Sequence, residues 1–474
     1  MTKASHTVEK IGGTTMSRIH ELRDSLLIRK CDPYGRVFVV SAFGGITNLL
    51  LEHKKSGEPG AYAAFAAAAG DHEWLAALDR AGVAMAAAHA TVLSHPGDQE
   101  RADAFLRERI QGARNCLIDL QRLCSYGHFR LSEHMLQTRE LLSGLGESHS
   151  AFVTTLMLQR SGIAARYIDL SGWRDENEFT LDERIEGAMA GVDPSTEMPI
   201  VTGYAQCKEG LMREFDRGYS EVTFSRLAAL TGAREAIIHK EFHLSSADPK
   251  LVGAGAVRKL GRTNYDVADQ LSNLGMEAIH PKAAKTLRQS GVPLRVTNAF
   301  EPQDPGTLID DQPAAGASVE IVTGLDLHAL ELFEQDMVGV KGYDAAIIEL
   351  LTRHNVRIVS KVSNANTITH YVDTSLKALR RVERDLEARY PAAVVTSRAV
   401  SMVAAVGRDL DGLSVLSRGL NALSGAGLAA IGASQGPRQV DVQFIVERDA
   451  MAPSIKALHA ALIEAEAEPV RVAA

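Results

Sequence analysis

Val8–Met16 reads VEKIGGTTM: a short strand ending at Ile11, a Gly12-Gly13 turn, and then a helix carried through Ile19, Leu22 and Leu26. The same grammar returns at Arg36–Ser41, RVFVVS, where the small-residue turn FGGITN again precedes a helix. A glycine pair between a buried strand and a helix lets backbone amides approach a phosphate, and the helix N-terminus adds partial positive charge. Lys10, just before the first turn, could then reach phosphate oxygens. Strand-turn-helix junctions also need glycine for geometry alone, so the local pattern leaves both readings open.

Outward from these two units, residues 62 to 161 shift to alanine, leucine and charged residues at helical spacing, as in RADAFLRERIQGARNCLIDLQRL, and read as a helical insert. Strand-like runs follow at Ala165–Leu170, Pro199–Thr202, Leu211–Phe215, Glu235–His239 and Pro293–Val296, with helices between several of them. That alternation predicts an α/β fold with a largely parallel, doubly wound sheet between helices. The stretch EPQDPGTLIDDQPAAGAS, at 301–318, has three prolines and no apolar periodicity, and reads as a linker after a catalytic domain spanning 1–300.

Beyond it, strand-like runs at Val319–Val322, Ala329–Phe333 and Val356–Val359 surround a helix at Tyr343–His354. A similar order recurs at Ala399–Val406, Leu413–Ser424, Leu428–Gly432, Val440–Val446 and Ala452–Ala465. The repeat predicts two small α+β domains, at 319–392 and 393–474.

A chain of 474 residues with 45% apolar and 23% charged residues and mean hydropathy near zero is globular, with room for two or three domains. Its 51 basic and 59 acidic residues give a net charge of −8, which argues against a general nucleic-acid-binding surface. No apolar run is long enough for a membrane span, and Met1–Lys10 lacks the apolar core of a signal peptide, so a cytoplasmic protein is expected. Cys31, Cys116, Cys124 and Cys207 form no Cys-x-x-Cys pair and read as reduced structural thiols.

The chain lacks the Walker spacing, and GAGAVR at Gly253–Arg258 lacks the last glycine of the dinucleotide fingerprint, so an ATP site must be of another kind. His239 and His243 in HKEFH invite comparison with a zinc protease helix, but Glu241 stands one position late and the run follows a strand; strand-end polar histidines are the reading preferred here. The acids Glu147 in GLGESHSA, and Asp216 and Glu221 in DRGYSEVTFS, each adjoin glycine and serine. Either they face a shared cleft, or Ser148 and Ser220 cap helices beside solvated acids; spacing leaves both open.

Seven segments in order carry a resemblance: VEKIGGTTM, VVSAFGGITNLL at Val39–Leu50, LLSGLGESHSA at Leu141–Ala151, VTGYAQ at Val201–Gln206, DRGYSEVTFS at Asp216–Ser225, SSADPKLV at Ser245–Val252, and LGMEAIHPKAA at Leu274–Ala284. Together they resemble the aspartate kinase family, within the wider amino-acid kinase fold, over nearly the whole chain. The resemblance implies transfer of the γ-phosphoryl group of ATP to the β-carboxylate of L-aspartate, giving 4-phospho-L-aspartate on the way to lysine, threonine and methionine or to ectoine. It implies that Lys10, Gly12, Gly13, Thr14, Ser41, Lys240 and Lys250 contact ATP, with Lys10 and Lys240 catalytic, and that Thr47, Glu147, Arg217 and Ser220 bind aspartate. Arg217 would hold the α-carboxylate through its planar fork. Mg²⁺ is implied with ATP, carried mainly by the phosphates, and no protein metal ligand is assigned.

Gly218-Tyr219-Ser220-Glu221 departs from a common family pattern in which aspartate stands where Glu221 does, and His239-Lys240-Glu241-Phe242 departs from a threonine-aspartate-valine-aspartate strand end. These changes and the helical insert resemble the aspartate kinases found with ectoine-synthesis genes. The segment 319–474 resembles that family's tandem ACT domains, of βαββαβ type, which implies an amino-acid effector and a homodimer or homotetramer. Another amino-acid kinase, or a silent amino-acid sensor that has lost turnover, are the competing readings.

Overall fold

The computed structural model describes residues 5–29, 32–54, 56–67, 71–215, 218–276, 278–312 and 316–465. The chain divides into two units, one of residues 1–244 and 279–310, the other of 245–278 and 311–474. Among the described residues no helix is long and apolar enough to cross a membrane, and Cys116, Cys124 and Cys207 are free thiols; Cys31 lies outside the described residues.

In the first unit, strands β1 (Thr7–Ile11), β2 (Arg36–Val40), β3 (Ala165–Ile168), β4 (Met198–Thr202), β5 (Glu235–Lys240), β6 (Leu294–Asn298) and β7 (Thr307–Asp310) stand in the order β3-β4-β2-β1-β5-β6-β7. All pair in parallel except β6 with β7. β1, β2 and β4 are buried throughout, the pattern of strands covered on both faces. Because Ile11 pairs with both Val40 and His239, the turns after β1, β2 and β5 leave the sheet together, at the carboxyl edge where open parallel sheets bind ligands. The helices that follow are α1 (Gly13–Met16), α2 (Ile46–Leu50), the insert helices α3 (Asp71–Val92), α4 (Pro96–Ser125) and α5 (Met135–Arg160), and then α6 (Tyr219–Leu230) and α7 (Pro281–Ser290).

Two expectations change. Leu211–Phe215, read as a strand, is a helical turn at Leu211–Glu214: it starts after Gly210 at φ +71°, and Leu211, Met212 and Phe215 share the buried side at helical spacing. The linker stretch 301–318 contains β7, which adds an antiparallel strand to β6, so the sheet extends past the expected boundary at 300.

Beneath the sheet lies a buried polar network. Arg36 donates through Nε and Nη2 to both oxygens of Glu9, each at 2.7 Å, while Nη1 donates to the carbonyls of Leu26 and Leu27. His239 Nε2 meets Glu9 at 2.7 Å, and its Nδ1 meets Thr297. Burial alone would raise the Glu9 carboxyl, but Arg36 and His239 hold it well below the usual carboxylate range. The sign follows: the stability this gives is present above the ordinary carboxylate pKa and is lost as pH falls through the depressed one. Arg36→Met strands a buried anion, and chemical denaturation near pH 7 is expected to show a loss of about 3–5 kcal/mol. A loss below about 1 kcal/mol would mean that the network is dispensable.

The second unit is built on β8 (Ser318–Phe333) and β11 (Val394–Arg408), two long strands paired antiparallel from Ser318–Arg408 to Phe333–Val394. With β9 (Arg357–Ser363), β10 (Thr367–Asp373), β12 (Gly432–Gln435) and β13 (Asp441–Glu447) they form one sheet, β9-β10-β8-β11-β13-β12. Helices α8 (Tyr343–Arg353) and α9 (Leu376–Arg389) cover one half with Leu330, Leu332, Ile347, Leu350, Val382 and Leu386. Helices α10 (Val415–Gly425) and α11 (Met451–His459) cover the other with Val322, Val403, Phe444, Ile455 and Leu458. The runs Val319–Val322 and Ala329–Phe333 are thus one continuous strand that serves both cores. Leu428–Ala430 is not strand; β12 begins at Gly432.

Residues 245–278, expected within the catalytic domain, belong to this second unit. Ser246 Oγ meets His459 Nε2 at 2.8 Å, Val322 N–H donates to the Ser246 carbonyl, Arg258 donates to the Ile463 carbonyl, and Thr263 Oγ1 donates to Glu320 at 2.6 Å.

Candidate active site

The glycine turn after β1 is tightly fitted. A Cβ on Gly13 would lie 3.0 Å from the Ala42 carbonyl, so the turn after β1 and the turn after β2 approach closely only because glycine is there. Ser17 Oγ accepts from Gly44 N–H at 2.8 Å, and Gly45, at φ +83°, is the N-cap of α2. Thr15 Oγ1 donates to Glu241 at 2.9 Å, fixing α1 to the end of β5. Thr14 is exposed beside these amides and Thr47 is half-buried in α2.

Lys10 is the last residue but one of β1, and its buried ammonium lies 3.3 Å from Glu221 Oε1. Glu221 sits in the first turn of α6, and its other oxygen accepts from the backbone N–H of His280 at 2.5 Å. Burial would raise the Glu221 carboxyl; the charges of Lys10 and Lys240 and the His280 hydrogen bond bring it below its ordinary value. The site therefore holds two cations around one ionised acid. His280 itself caps α7 ahead of Pro281, and its ring occupies the space a side chain at Gly218 would need, 2.5 Å from a Cβ there.

Glu147 lies in the middle of α5, not at a helix start, and is only 3% exposed. One carboxylate oxygen has no hydrogen-bond partner. Burial pushes its pKa up to about 8, only partly opposed by Lys10 and by the amides of Tyr204 and Ala42 that donate to it. Gly203 lets the chain pass close beside it: a Cβ there would meet Ser220 Cβ at 2.6 Å, Glu147 Oε2 at 2.9 Å and the Val40 carbonyl at 2.9 Å. Ser220 is not a cap, since Gly218 fills that place; its Oγ meets Ser41 Oγ at 3.2 Å. Ser148 is likewise no cap, and pairs with Tyr167 at 2.6 Å. The solvated-acid reading of Glu147 and Glu221 is thus replaced by that of two buried acids, both within the field of Lys10.

The first unit brings together Lys10, Gly12, Gly13, Ser41, Glu147, Ser220 and Lys240, the last through its field on Glu221. Lys250 is the second residue of the short helix Pro249–Val252 in the second unit. Arg217 and Asp216 lie outside the described residues. Gly203, His280 and the amides of Ala42 and Tyr204 were not singled out from sequence; backbone donors leave no mark there, and the available signal was the recurrence of VTGYAQ and LGMEAIHPKAA in the resemblance. Of the HKEFH run, His239 turns to Glu9 and Thr297 whereas His243 meets Glu301, so the two histidines have different partners.

Compared with known proteins, residues 6–298 match the model of the amino acid kinase family. The chain is 51% identical over 466 residues to the aspartate kinase Ask_Ect of Stutzerimonas stutzeri, covering 97% of this chain and 98% of that one. It is 24% identical to the chloroplastic aspartokinase 1 of Arabidopsis thaliana, over 73% of this chain and 64% of the other. Among solved structures, Escherichia coli aspartokinase III in complex with lysine and aspartate superposes with a TM-score of 0.73 at 18% identity, covering 97% of this chain and 100% of that chain.

Proposed function

Since the chain belongs to the aspartate kinase family, we propose that the cleft around Lys10 and Glu147 moves the γ-phosphoryl group of ATP onto the β-carboxylate of L-aspartate. One observation carries the assignment of residues: a buried carboxylate, Glu147, with an unpartnered oxygen and a pKa near 8, stands beside a buried lysine at a glycine turn. An acid kept largely neutral until a cation arrives is suited to the α-ammonium group of an amino acid. Arg217, as the resemblance implies, takes the α-carboxylate, and Thr47 and Ser220 complete the acceptor side.

The acceptor carboxylate has an ordinary pKa of about 3.9 and is already ionised, so no general base is needed. The reaction instead needs two mutually repelling anions aligned and the charge on the transferring group neutralised. Lys10 and Lys240 supply fixed cations, and Glu221 holds Lys10 in place. The amides of the Gly12-Gly13 turn cradle phosphate oxygens, aided by Thr14 and Ser41. Phe242, 55% exposed just past β5, offers a flat apolar face for a base. Glu221 is already committed to Lys10 and to the His280 amide, so these residues fit Mg²⁺ that arrives on the ATP phosphates, where it supplies further charge neutralisation.

In the second unit a cleft of about 520 Å³ presents Glu331 and Arg398 along with Thr369 and Tyr371. Opposite charges lining one cleft suit a zwitterion, which supports an amino-acid effector there. The ectoine-associated subtype is supported by the Stutzerimonas relative.

The test is ADP release from MgATP with aspartate, glutamate or no acceptor, hydroxylamine trapping any acyl phosphate, repeated with lysine or threonine added. Aspartate-dependent ADP with a trapped hydroxamate is expected. Amino-acid binding without turnover on any acceptor would favour the silent sensor instead.

A further inference from the structure

A second group of ionisable side chains stands apart from Lys10 and Glu147. β5 and β6 are neighbours in parallel, with Lys240 opposite Asn298. His243 lies three residues past the end of β5 and Glu301 three past the end of β6, so equal overhangs bring them together. The turn after β6 is tightly organised: Asn298 Oδ1 accepts from Phe300 N–H, Asn298 Nδ2 donates to Glu301 Oε1 at 3.1 Å, and Gly306 N–H donates to Asp304 Oδ1 at 2.9 Å. The His243 ring enters this turn with its side chain only 8% exposed. Its Nε2 is 3.0 Å from Glu301 Oε2, and its Nδ1 is 3.8 Å from Asp304 Oδ1 with no hydrogen-bond partner.

A neutral imidazole has one N–H and one lone pair. Here it faces a carboxylate from each nitrogen, so one lone pair is set against an anion unless something positive lies between. One ligand atom from each of His243, Glu301 and Asp304 falls within 4.8 Å of the others. Tetrahedral Zn²⁺ with bonds near 2.1 Å needs ligand atoms about 3.4 Å apart, which is a small side-chain adjustment from this arrangement.

We propose that His243, Glu301 and Asp304 form a binding site for a borderline divalent cation of the Zn²⁺ class, tying the turn after β5 to the turn after β6. One imidazole and two carboxylates suit Zn²⁺ or Mn²⁺ better than Mg²⁺, which prefers oxygen ligands and keeps its waters.

The full-length chain, stripped with a chelator and then titrated with Zn²⁺ in millimolar Mg²⁺, is expected to take up one equivalent that raises its thermal midpoint. His243→Asn, and separately Glu301→Gln with Asp304→Asn, should each lose that equivalent, with affinity at least about 100-fold weaker. Both variants should keep the parent circular dichroism; the carboxamide pair preserves side-chain shape if His243→Asn does not fold. Zn²⁺ uptake and stabilisation equal in parent and in a folded variant would overturn the proposal. So would no uptake by the parent.

Discussion

Lys10→Ala is expected to lower kcat by about 10³-fold, roughly 4 kcal/mol of barrier, with the aspartate KM changed only a few-fold. The reason is geometric. Lys10 is nearly buried at the end of β1, next to the turn whose glycines admit a phosphate, and Glu221 fixes its ammonium at 3.3 Å. A cation held in that way favours the state in which charge builds on the transferring oxygens more than it favours bound substrate. Removing Lys10 also removes one partner of a buried acid, so lost activity has to be told apart from lost fold; Glu221 does, however, keep Lys240 and the His280 amide. Lys10→Ala combined with Glu221→Gln separates the two effects. The pair should recover stability toward that of the parent and stay inactive. A Lys10→Ala enzyme within tenfold of the parent kcat would remove Lys10 from the chemistry.

Glu147→Gln is expected to raise the aspartate KM about 30- to 100-fold with little change in kcat, the loss of a charge-assisted hydrogen bond to a buried group. The same substitution carries a stability signature with a fixed sign. The native pKa of about 8 is raised from an ordinary 4.5, so the parent loses stability as pH rises between those values and bears the whole cost of a buried anion above pH 8. That cost is on the order of 5 kcal/mol. The carboxamide does not ionise, so Glu147→Gln should gain on the parent between pH 6 and pH 9. Denaturation at both values measures it, and an unchanged gap would mean that Glu147 is not the buried neutral acid described above. In the parent, aspartate binding below pH 8 should release a proton, since the incoming ammonium group favours the ionised carboxylate.

The sequence carried the two strand-glycine-helix units in VEKIGGTTM and RVFVVSAFGG because such junctions are local: apolar burial on both faces of a strand and glycine in a tight turn are legible within a dozen residues. It also placed Lys10, Ser41 and Lys240, which sit at or beside strand ends, where position along the chain nearly fixes position at the sheet edge. It did not distinguish Glu147 as a buried mid-helix acid from a capped, solvated one, since GLGESHSA looks alike in both settings. Nor did it tell a strand from a helical turn at Leu211–Phe215, where a short apolar run fits both periods.

What the sequence by itself determined is the parallel α/β class, the helical insert, a second α+β region and the family to which the seven segments point. The rest rests on neighbours far apart in the chain. The Glu9–Arg36–His239 network joins three strands, and Glu221 meets its Lys10 and His280 partners across 211 and 59 residues of chain. The continuous strand Ser318–Phe333 serves two cores at once, and His243 meets Glu301 only because β5 and β6 are adjacent. Charge pairing and burial depend on distance in space, and for these groups only the tertiary structure sets that distance.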